Sequence, residues 1–317
     1  MPACAACAAQ ADIYASALTA CSQCAASFGG KEPHECTRCR SVAYCGVECQ
    51  RAAWGGHKAV CRAAGEAKFA REMARAEAGN AVAMYNIGVL YAKGTGVAAD
   101  MREAVKWYTR AAEAGYTDAQ FNLSVCYENG TGVAADARMA VKWYTRAAEA
   151  GDAGAQYNLG HCFDHGAGVA ADAGAAVKWY MRAAEAGHAG AQNNLGTCYE
   201  KGTGVAADAR AAVKWYTRAA EAGNADAQFN LGVCYAKGKG VAADVRAAVK
   251  WYTRAVEAGE TNAQYKLGTC FAYGTGVVRD FAAARSWLTR AAAAGFEQAP
   301  EALALLDEIE AAAEKAE

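Results

Sequence analysis

The sequence has no excess of charge and no long apolar run, and both absences exclude classes of partner. Its 317 residues include 32 Lys and Arg against 33 Asp and Glu, which gives a formal net charge of −1. A chain this close to neutral lacks the basic surface that attracts nucleic acids and anionic lipids, so we expect no nucleic-acid partner. No apolar stretch reaches the roughly 18 residues that a membrane span needs, so no membrane association is predicted.

A secretory signal and the common catalytic motifs are also missing. Asp12 interrupts the N-terminal region, and no basic start precedes a long apolar run. The 14 cysteines lie in one cluster or at regular intervals rather than in a disulfide framework, which favours a reducing, cytoplasmic or nuclear compartment. Because no nucleophile elbow, phosphate-binding loop or dinucleotide fingerprint is present, we do not expect an enzyme.

The chain does contain a dense group of potential metal ligands near its N-terminus. Seven cysteines and one histidine occupy this stretch: Cys21, Cys24, Cys36, Cys39, Cys45, Cys49, His57 and Cys61. Thiolate and imidazole groups are zinc ligands, and eight of them suffice for two tetrahedral sites. The stretch is too short to hold an apolar core, so we expect it to fold around two structural zinc ions.

The preceding residues, 1–20, form an alanine-rich leader that we expect to be poorly ordered. They contain another pair, Cys4 and Cys7. This pair could replace Cys21 and Cys24 as ligands, but a long loop to Cys36 would then have to close. We favour free thiols on a flexible leader, and the sequence assigns them no role.

From Gly79 onward the sequence repeats itself every 36 residues, six times. In a typical unit a first helix ends at a Gly-x-Gly turn, such as Gly130 to Gly132, and a second helix starts at an Asp N-cap, such as Asp136. Asp100 with Glu103 also predicts a capping box. Because no helix pair can bury its apolar face alone, we predict a mainly α fold: an α-solenoid of six helix pairs over residues 79–294, preceded by a two-zinc finger over residues 21–61.

Both ends of the repeat array carry sequence that can cover it. Residues 62–78 mimic a second helix, so we expect an incomplete capping repeat there. Residues 295–317 predict a C-terminal capping helix that starts at Pro300. The solenoid's curvature and oligomeric state do not follow from the sequence.

The predicted core is a set of columns, each filled by one residue type in successive repeats. Tryptophan is followed by tyrosine at one position of the second helix, ending in a Trp-Leu pair: Trp107, Tyr108, Trp143, Tyr144, Trp179, Tyr180, Trp215, Tyr216, Trp251, Tyr252, Trp287 and Leu288. The first helix carries a glycine that allows a close neighbour, as at Gly196. It also carries a cysteine, which we interpret as a small buried residue because stacked helices are too far apart for disulfides.

One face of the first helix varies between repeats and is the candidate partner surface. Three positions spaced i, i+4 and i+7 share this face, and the first of them holds mostly aromatic residues. It is occupied by Tyr85, Phe121, Tyr157, Asn193, Phe229 and Tyr265. Phe121, Tyr157, Asn193, Phe229 and Tyr265 are the predicted partner-binding residues. An aromatic groove suits a peptide, but equally these rings could simply pack against the adjacent repeat.

A second candidate metal site lies within one repeat. His161, Asp164 and His165 fall within about one helical turn, and the two histidines have the i, i+4 spacing that can bind a metal. No other repeat has this group and no third histidine is near in sequence. We therefore do not expect a metal site there.

Two family resemblances rest on these residues. The segment from Cys21 to Cys61 resembles the MYND zinc finger, including the non-ligand residues Tyr44, Gln50 and Trp54. That resemblance implies interleaved ligation by two sets: Cys21, Cys24, Cys45 and Cys49 for one zinc, and Cys36, Cys39, His57 and Cys61 for the other. Because every ligand position is filled by protein, both sites are expected to be structural.

The repeats resemble Sel-one-like repeats, which are related to tetratricopeptide repeats. The matching residues are seen in one unit at Ala191, Leu195, Gly196, Tyr199, Gly202, Gly204, Val205, Asp208, Ala212, Trp215, Tyr216 and Ala219. Departures are Ser124 for the glycine, Ile87 for the leucine and Leu288 for the tyrosine.

Together the resemblances imply a protein-interaction adaptor or scaffold. The finger would recognise short, proline-containing peptides, and the repeats would bind a second protein. The alternative is a regulatory or substrate-recruiting subunit of a ubiquitin-ligase or chromatin-modifying complex, which would have the same sequence features.

Overall fold

A computed structural model describes the backbone of residues 34–35, 43–44 and 47–314 and the side chains of residues 62–312. The predicted leader (residues 1–20) and most of the predicted finger lie outside the described residues. Two short strands, β1 (His34–Glu35) and β2 (Ala43–Tyr44), pair antiparallel, with His34 opposite Tyr44.

Fourteen helices follow in the described part of the chain, and most of them have 13 residues. They are α1 (Val47–Glu77), α2 (Ala81–Lys93), α3 (Met101–Glu113), α4 (Thr117–Asn129), α5 (Ala137–Glu149), α6 (Ala153–His165), α7 (Ala173–Glu185), α8 (Ala189–Lys201), α9 (Ala209–Glu221), α10 (Ala225–Lys237), α11 (Val245–Glu257), α12 (Asn262–Tyr273), α13 (Phe281–Ala293) and α14 (Ala299–Glu314). None of these described helices is both long and apolar enough to span a lipid bilayer.

The described elements form two compact units, which divide between Asp136 and Ala137. In the first unit α1 packs on α2, α2 on α3 and α3 on α4. In the second unit each helix from α5 to α14 packs on the next one along the chain. The prediction of a mainly α fold of the solenoid class is confirmed. Helix α1 runs without a break from residue 47 into residues 62–77, so it crosses the predicted end of the finger at residue 61.

The helices begin and end where the repeat pattern predicts. Asp208 accepts hydrogen bonds from the backbone N–H groups of Arg210 and Ala211 at 2.9 and 3.0 Å, and so caps α9. Gly202 ends α8 with φ +72°, a left-handed conformation that glycine adopts without strain. The second glycine of the turn, Gly204, is required by close packing. A Cβ there would lie 2.1 Å from the Ala173 carbonyl oxygen of the preceding repeat.

Of the two hydrogen bonds of the predicted capping box at Asp100, only one is formed, so the prediction is wrong for the other. Asp100 Oδ1 does accept from the Glu103 N–H at 3.2 Å. The backbone N–H of Asp100, however, donates to the Tyr91 carbonyl oxygen at 3.0 Å, and the Glu103 carboxylate pairs with Lys106 instead. The turn that joins the two helices already satisfies the amide for which a capping box would provide an acceptor.

The helices of a repeat approach closely because glycine faces a tyrosine ring. In the second unit a Cβ on Gly196 would lie 2.6 Å from Tyr216 Cδ1, and a Cβ on Gly232 would lie 2.6 Å from Tyr252 Cε1. Tyr216 is only 1% exposed, so its ring has nowhere to move. The predicted role of these glycines in close helix packing is confirmed.

The tryptophans are less buried than the tyrosines beside them. Trp143 and Trp215 are buried, whereas Trp179 and Trp251 keep part of the ring exposed. In every repeat the arginine three residues later lies over the ring, as Arg182 lies 4.6 Å from the Trp179 centroid. The full set of pairs is Trp107 with Arg110, Trp143 with Arg146, Trp179 with Arg182, Trp215 with Arg218, Trp251 with Arg254 and Trp287 with Arg290. The cation covers the outer ring face that the core leaves open.

A glutamine near the start of the first helix ties it to the helix before. Gln192 Nε2 donates to the Ala184 carbonyl oxygen at 3.0 Å, and Gln228 Nε2 donates to the Ala220 carbonyl oxygen at 3.1 Å. These carbonyls lie in the last turn of a helix and also accept the backbone N–H of Gly187 and Gly223, both at 3.1 Å. The glutamine column was not singled out in the sequence because it looks like an ordinary polar position.

The repeat cysteines pack in the core as small apolar residues, as predicted. Cys126, Cys162, Cys198 and Cys234 are buried and Cys270 is half-buried. Burial raises the pKa of the Cys198 and Cys234 thiols to about 11. They are therefore protonated at neutral pH and pack as small apolar groups.

We expect Gly232→Ala to lower the free energy of unfolding by about 1–3 kcal/mol, because its methyl group overpacks the Tyr252 ring. Gly174→Ala is the matched control. Gly174 also lies in a helix, but its only near contact would be the Asp172 carboxylate, 3.3 Å from the new Cβ. There the higher helix propensity of alanine should leave stability unchanged or higher. Urea unfolding of both variants tests this, and equal effects of the two substitutions would contradict it.

Candidate functional site

The variable positions form a surface on the first helix of each repeat, called here the stripe. In the second unit it comprises Tyr157, His161 and Asp164 on α6, Asn193, Thr197 and Glu200 on α8, Phe229, Val233 and Ala236 on α10, and Tyr265, Thr269 and Ala272 on α12. The aromatic members are half-buried, whereas Asn193 is only 9% exposed. In the first unit Tyr85 and Phe121 hold the corresponding positions on α2 and α4 and are also half-buried.

Two stripe rings, Tyr157 and Tyr265, rest partly on the segment that leads into the next first helix, whereas Phe229 tilts against Tyr252 of its own repeat. Tyr157 stacks on His188 with centroids 4.5 Å apart and tilts against Tyr180 at 6.0 Å. Tyr265 stacks on Phe296 at 4.6 Å. These are the contacts that packing between repeats requires, and they leave part of each ring exposed to a partner. The same rings can therefore stabilise the seam and offer an apolar surface.

Helix α8 interrupts the aromatic rings with a polar network. Asn193 Oδ1 accepts from Asn230 Nδ2 at 3.0 Å. Glu200 accepts from the Tyr216 hydroxyl at 2.7 Å and pairs with Lys239 at 3.0 Å. Burial raises the pKa of Glu200, but the hydrogen bonds from Tyr216 and Lys239 outweigh it and hold that pKa below its usual value. The carboxylate therefore stays charged within the stripe.

The histidine group on α6 does not form a metal site in the structure. The rings of His161 and His165 stack on each other with centroids 4.0 Å apart. His165 Nδ1 lies 3.1 Å from the His161 carbonyl oxygen, and Asp164 lies 4.0 Å from the same nitrogen. Among the side chains that the structure describes, no group of three or more potential ligands converges.

The predicted zinc ligands lie at the edge of the described chain. Five of them are outside the described residues: Cys21, Cys24, Cys36, Cys39 and Cys45. The other three, Cys49, His57 and Cys61, are in α1, whose backbone is described. His57 and Cys61 are four residues apart and therefore share one face of the helix. Cys49 precedes His57 by eight residues, which places it roughly 80° around the helix and about 12 Å along it.

Comparison with known families agrees with this architecture. A family model of the Sel1 repeat matches six consecutive segments: residues 81–116, 117–152, 153–188, 189–224, 225–260 and 261–296. The chain belongs to the Sel1 repeat family. A second family model, the MYND finger, matches residues 21–61 ahead of the Sel1 repeats. MYND fingers bind zinc, and both kinds of domain mediate protein–protein interactions.

Solved structures with Sel1 repeats are similar to this one. A protective antigen of uropathogenic Escherichia coli with an SLR fold is 36% identical, with a TM-score of 0.71 over 74% of this chain and 50% of that one. A Sel1 repeat protein from Oxalobacter formigenes is 38% identical, with a TM-score of 0.61 over 67% of this chain and 85% of that one. SET domain-containing protein 14 of Caenorhabditis elegans is 43% identical over 58 residues, 16% of this chain. This chain spans only 13% of that curated relative and half of the E. coli antigen.

One Sel1 repeat has a titratable cap beneath its stripe ring. His188 precedes α8 and accepts the Ala191 N–H on Nδ1 at 3.1 Å, where the next repeat uses Asn224. Only a neutral imidazole can accept this bond. Burial lowers the pKa of His188, against an opposing effect of the Asp152 carboxylate. The first helices of other repeats have Asn80, Asp152 or Asn224 at this N-cap position. That pattern is the sequence signal that could have identified His188 as a cap.

We expect acidification to destabilise this Sel1 repeat through His188. Because the folded-state pKa is lowered, the cap contributes fully above the unfolded pKa of 6.5 and its contribution is lost as the pH falls below that value. Between pH 7.5 and 5.5 the free energy of unfolding should fall by up to about 1 kcal/mol more in the wild type than in His188→Asn. The asparagine amide caps the helix at either pH. Urea unfolding at both pH values measures the difference. Equal losses in the two proteins would show that the imidazole is not the sensitive group.

Proposed function

We propose that this chain is a non-catalytic adaptor whose finger and Sel1 repeats hold different proteins. Both domain types are interaction modules that are typically non-catalytic. The observation that supports the repeat half is the stripe on α6, α10 and α12. There Tyr157, Phe229 and Tyr265 keep part of each ring exposed while the rest of the ring is held by packing. Rigid aromatic side chains lose little entropy on binding, which suits a partner surface.

The stripe also carries the charge that would select a partner. Asp164 is exposed, and Glu200 is a charged carboxylate that pairs with Lys239. The partner surface of the second unit therefore combines aromatic rings with carboxylates at one edge. An extended or helical peptide can place apolar side chains on the rings and polar groups along that edge.

The finger, in this proposal, holds two structural zinc ions and recognises a short, proline-containing peptide. Cys21, Cys24, Cys45 and Cys49 would bind one ion, and Cys36, Cys39, His57 and Cys61 the other. Bound zinc supplies cross-links between chain segments and no chemistry on a substrate. The donor set fits, because seven thiolates and one imidazole fill two tetrahedral shells.

The backbone agrees with this division of ligands. His57 and Cys61 share one face of α1, whereas Cys49 lies more than two turns earlier and on a different face. Antiparallel β1 and β2 place Glu35 and Tyr44 at opposite ends of their ladder. The next residues in sequence are Cys36 and Cys45, which the proposal assigns to different ions.

We expect the purified protein to contain two zinc ions per chain and His57→Ala to contain about one. Replacing His161, which is exposed on α6, by Ala is the matched control and should leave two. Strong chelators should remove both ions and reduce the helical signal only by the part of α1 that holds ligands, since α2–α14 need no metal. Elemental analysis and circular dichroism measure these results. Fewer than two ions in the wild type, or a general loss of helix, would contradict the proposal.

We expect the stripe and the finger to retain different partners. Tyr157→Asn combined with Phe229→Asn removes two rings in favour of the residue that α8 carries at Asn193, so the fold should tolerate it. Affinity capture with mass spectrometry should show one set of proteins lost with this variant and another lost with His57→Ala. Lys178→Ala with Lys250→Ala, on the exposed face of the second helices, should lose neither.

If the proteins that the stripe variant fails to capture are the same as those that the finger variant fails to capture, or if both variants capture every protein that the wild type captures, the proposal of an adaptor with two partners is wrong. The identity of the captured proteins also separates a general scaffold from a recruiting subunit of a ubiquitin ligase or a chromatin modifier.

A further inference from the structure

Helix α14 lies in register with the first helix of a seventh repeat. Gly295 follows Gly259 by 36 residues, and Ala299 follows Ala263 by the same interval. Ala299 is fully buried like Ala263, and Leu306 is buried where the preceding repeat has Cys270. The predicted capping helix therefore continues the repeat geometry, with Pro300 as its second residue rather than its first.

At this end the stripe changes in chemistry. Glu301 stands 36 residues after Tyr265, and Leu305 stands 36 residues after Thr269. Ala302 takes the place that is held by asparagine in the first five repeats, such as Asn230, and by Lys266 in the sixth. Asn230 reaches across to Asn193 and joins the two neighbouring first helices at 3.0 Å. Alanine is too short to do this, so the space between α12 and α14 stays open.

The result is a cleft of about 290 Å³ between α12, α13 and α14. Its apolar lining includes Tyr265, Tyr273, Leu288, Leu305, Leu306 and Ile309. Tyr273 is 51% exposed and Leu305 is 44% exposed, so both offer apolar surface to solvent. The volume lies at the lower limit of the roughly 300–1,000 Å³ of small-molecule pockets, and it suits a large side chain better than a cofactor.

The cleft is lined by one carboxylate, Glu301, while Lys266 Nζ lies over the ring of the lining Tyr265 at 5.5 Å. Helix α14 contains five acidic residues and no basic one. Arg285 pairs with Asp307 and Glu310. Glu301 lines the cleft, is exposed, and makes no ion pair with any side chain that the structure describes. A cation brought to Glu301 would therefore meet a free carboxylate beside an apolar surface.

We propose that this cleft binds a segment of a partner protein in which a large apolar side chain stands next to lysine or arginine. The apolar side chain enters between Tyr265 and Leu305, and the cation lies on Glu301. The proposal rests on the adaptor function and names the chemistry of one of its partners. The charge of α14 disfavours a second copy of this same acidic end as the occupant.

The test uses the full chain and two fluorescein-labelled 15-residue synthetic peptides. Each carries a central Trp-Leu pair, flanked by two arginines in one peptide and by two glutamates in the other. Fluorescence anisotropy should show binding of the arginine peptide and weaker binding of the glutamate peptide. Leu305→Lys should weaken binding of the arginine peptide about tenfold or more. Glu301→Gln should weaken it by about two- to fivefold, as expected for an exposed ion pair, and Glu301→Lys should shift the preference toward the glutamate peptide.

Val278→Lys is the matched control for Leu305→Lys. Val278 is 87% exposed and lies in the turn before α13, outside the cleft, so its substitution should leave the affinity unchanged. Circular dichroism of each variant confirms folding. Should Leu305→Lys fail to fold, the charge variants at the exposed Glu301 still decide the proposal.

Three results would overturn the proposal. The first is that the two peptides bind with equal affinity. The second is that neither Leu305→Lys nor Glu301→Lys changes peptide binding. The third is that sedimentation velocity shows a wild-type dimer that Leu305→Lys converts to a monomer. The last result would identify a second copy as the occupant. Failure here remains distinguishable from failure of the adaptor proposal, because Tyr157 and Phe229 lie outside the cleft and their effect on captured proteins is measured separately.

Discussion

Five of the six repeats depend on a contact that leaves no room for a methyl group, and the second repeat has Ser124 in place of the glycine. The glycine of the first helix lies against a buried tyrosine ring of the second, so the two backbones are separated by little more than the thickness of that ring. Gly160 with Tyr180 and Gly196 with Tyr216 show the same geometry 36 residues apart. Interiors packed at this density tolerate few changes in volume, which accounts for the recurrence of glycine and tyrosine in most repeats. Where the last repeat has Leu288 for tyrosine, Gly268 still makes an equally close contact.

That contact commits one face of the first helix to the core, and the neighbouring stripe positions, such as Asn193 and Thr197 beside Gly196, are free to differ between repeats. The stripe uses this freedom in three ways. Aromatic rings at Tyr157 and Tyr265 rest on the next repeat, a buried polar network surrounds Asn193 on α8, and carboxylates line one edge. Variation confined to one face of a uniform scaffold is how repeat proteins acquire a partner without losing stability.

The two families in this chain obtain their stability from different sources. Sel1 repeats bury apolar side chains between neighbours, so each helix pair is stabilised by the next. MYND fingers bind zinc and are too small for a core of that kind. Helix α1 joins the two, since residues 47–61 belong to the finger match and Phe69, further along the same helix, packs edge-on against Tyr91 of α2. Ordering of the finger and capping of the repeats therefore share one continuous helix.

The sequence by itself determined the period, the helix pairs, their caps, the buried cysteines and tyrosines and the family of both parts. All of these follow from local preferences or from one residue type returning at a fixed interval. It did not predict the bond from Asp100 to Tyr91, the arginines over the tryptophans, the ion pair of Glu200 with Lys239 or the open cleft beside Glu301. Those features depend on distances between helices that no spacing along the chain specifies. A short side chain such as Ala302 opens a cleft only when the neighbouring helices do not fill the space beside it.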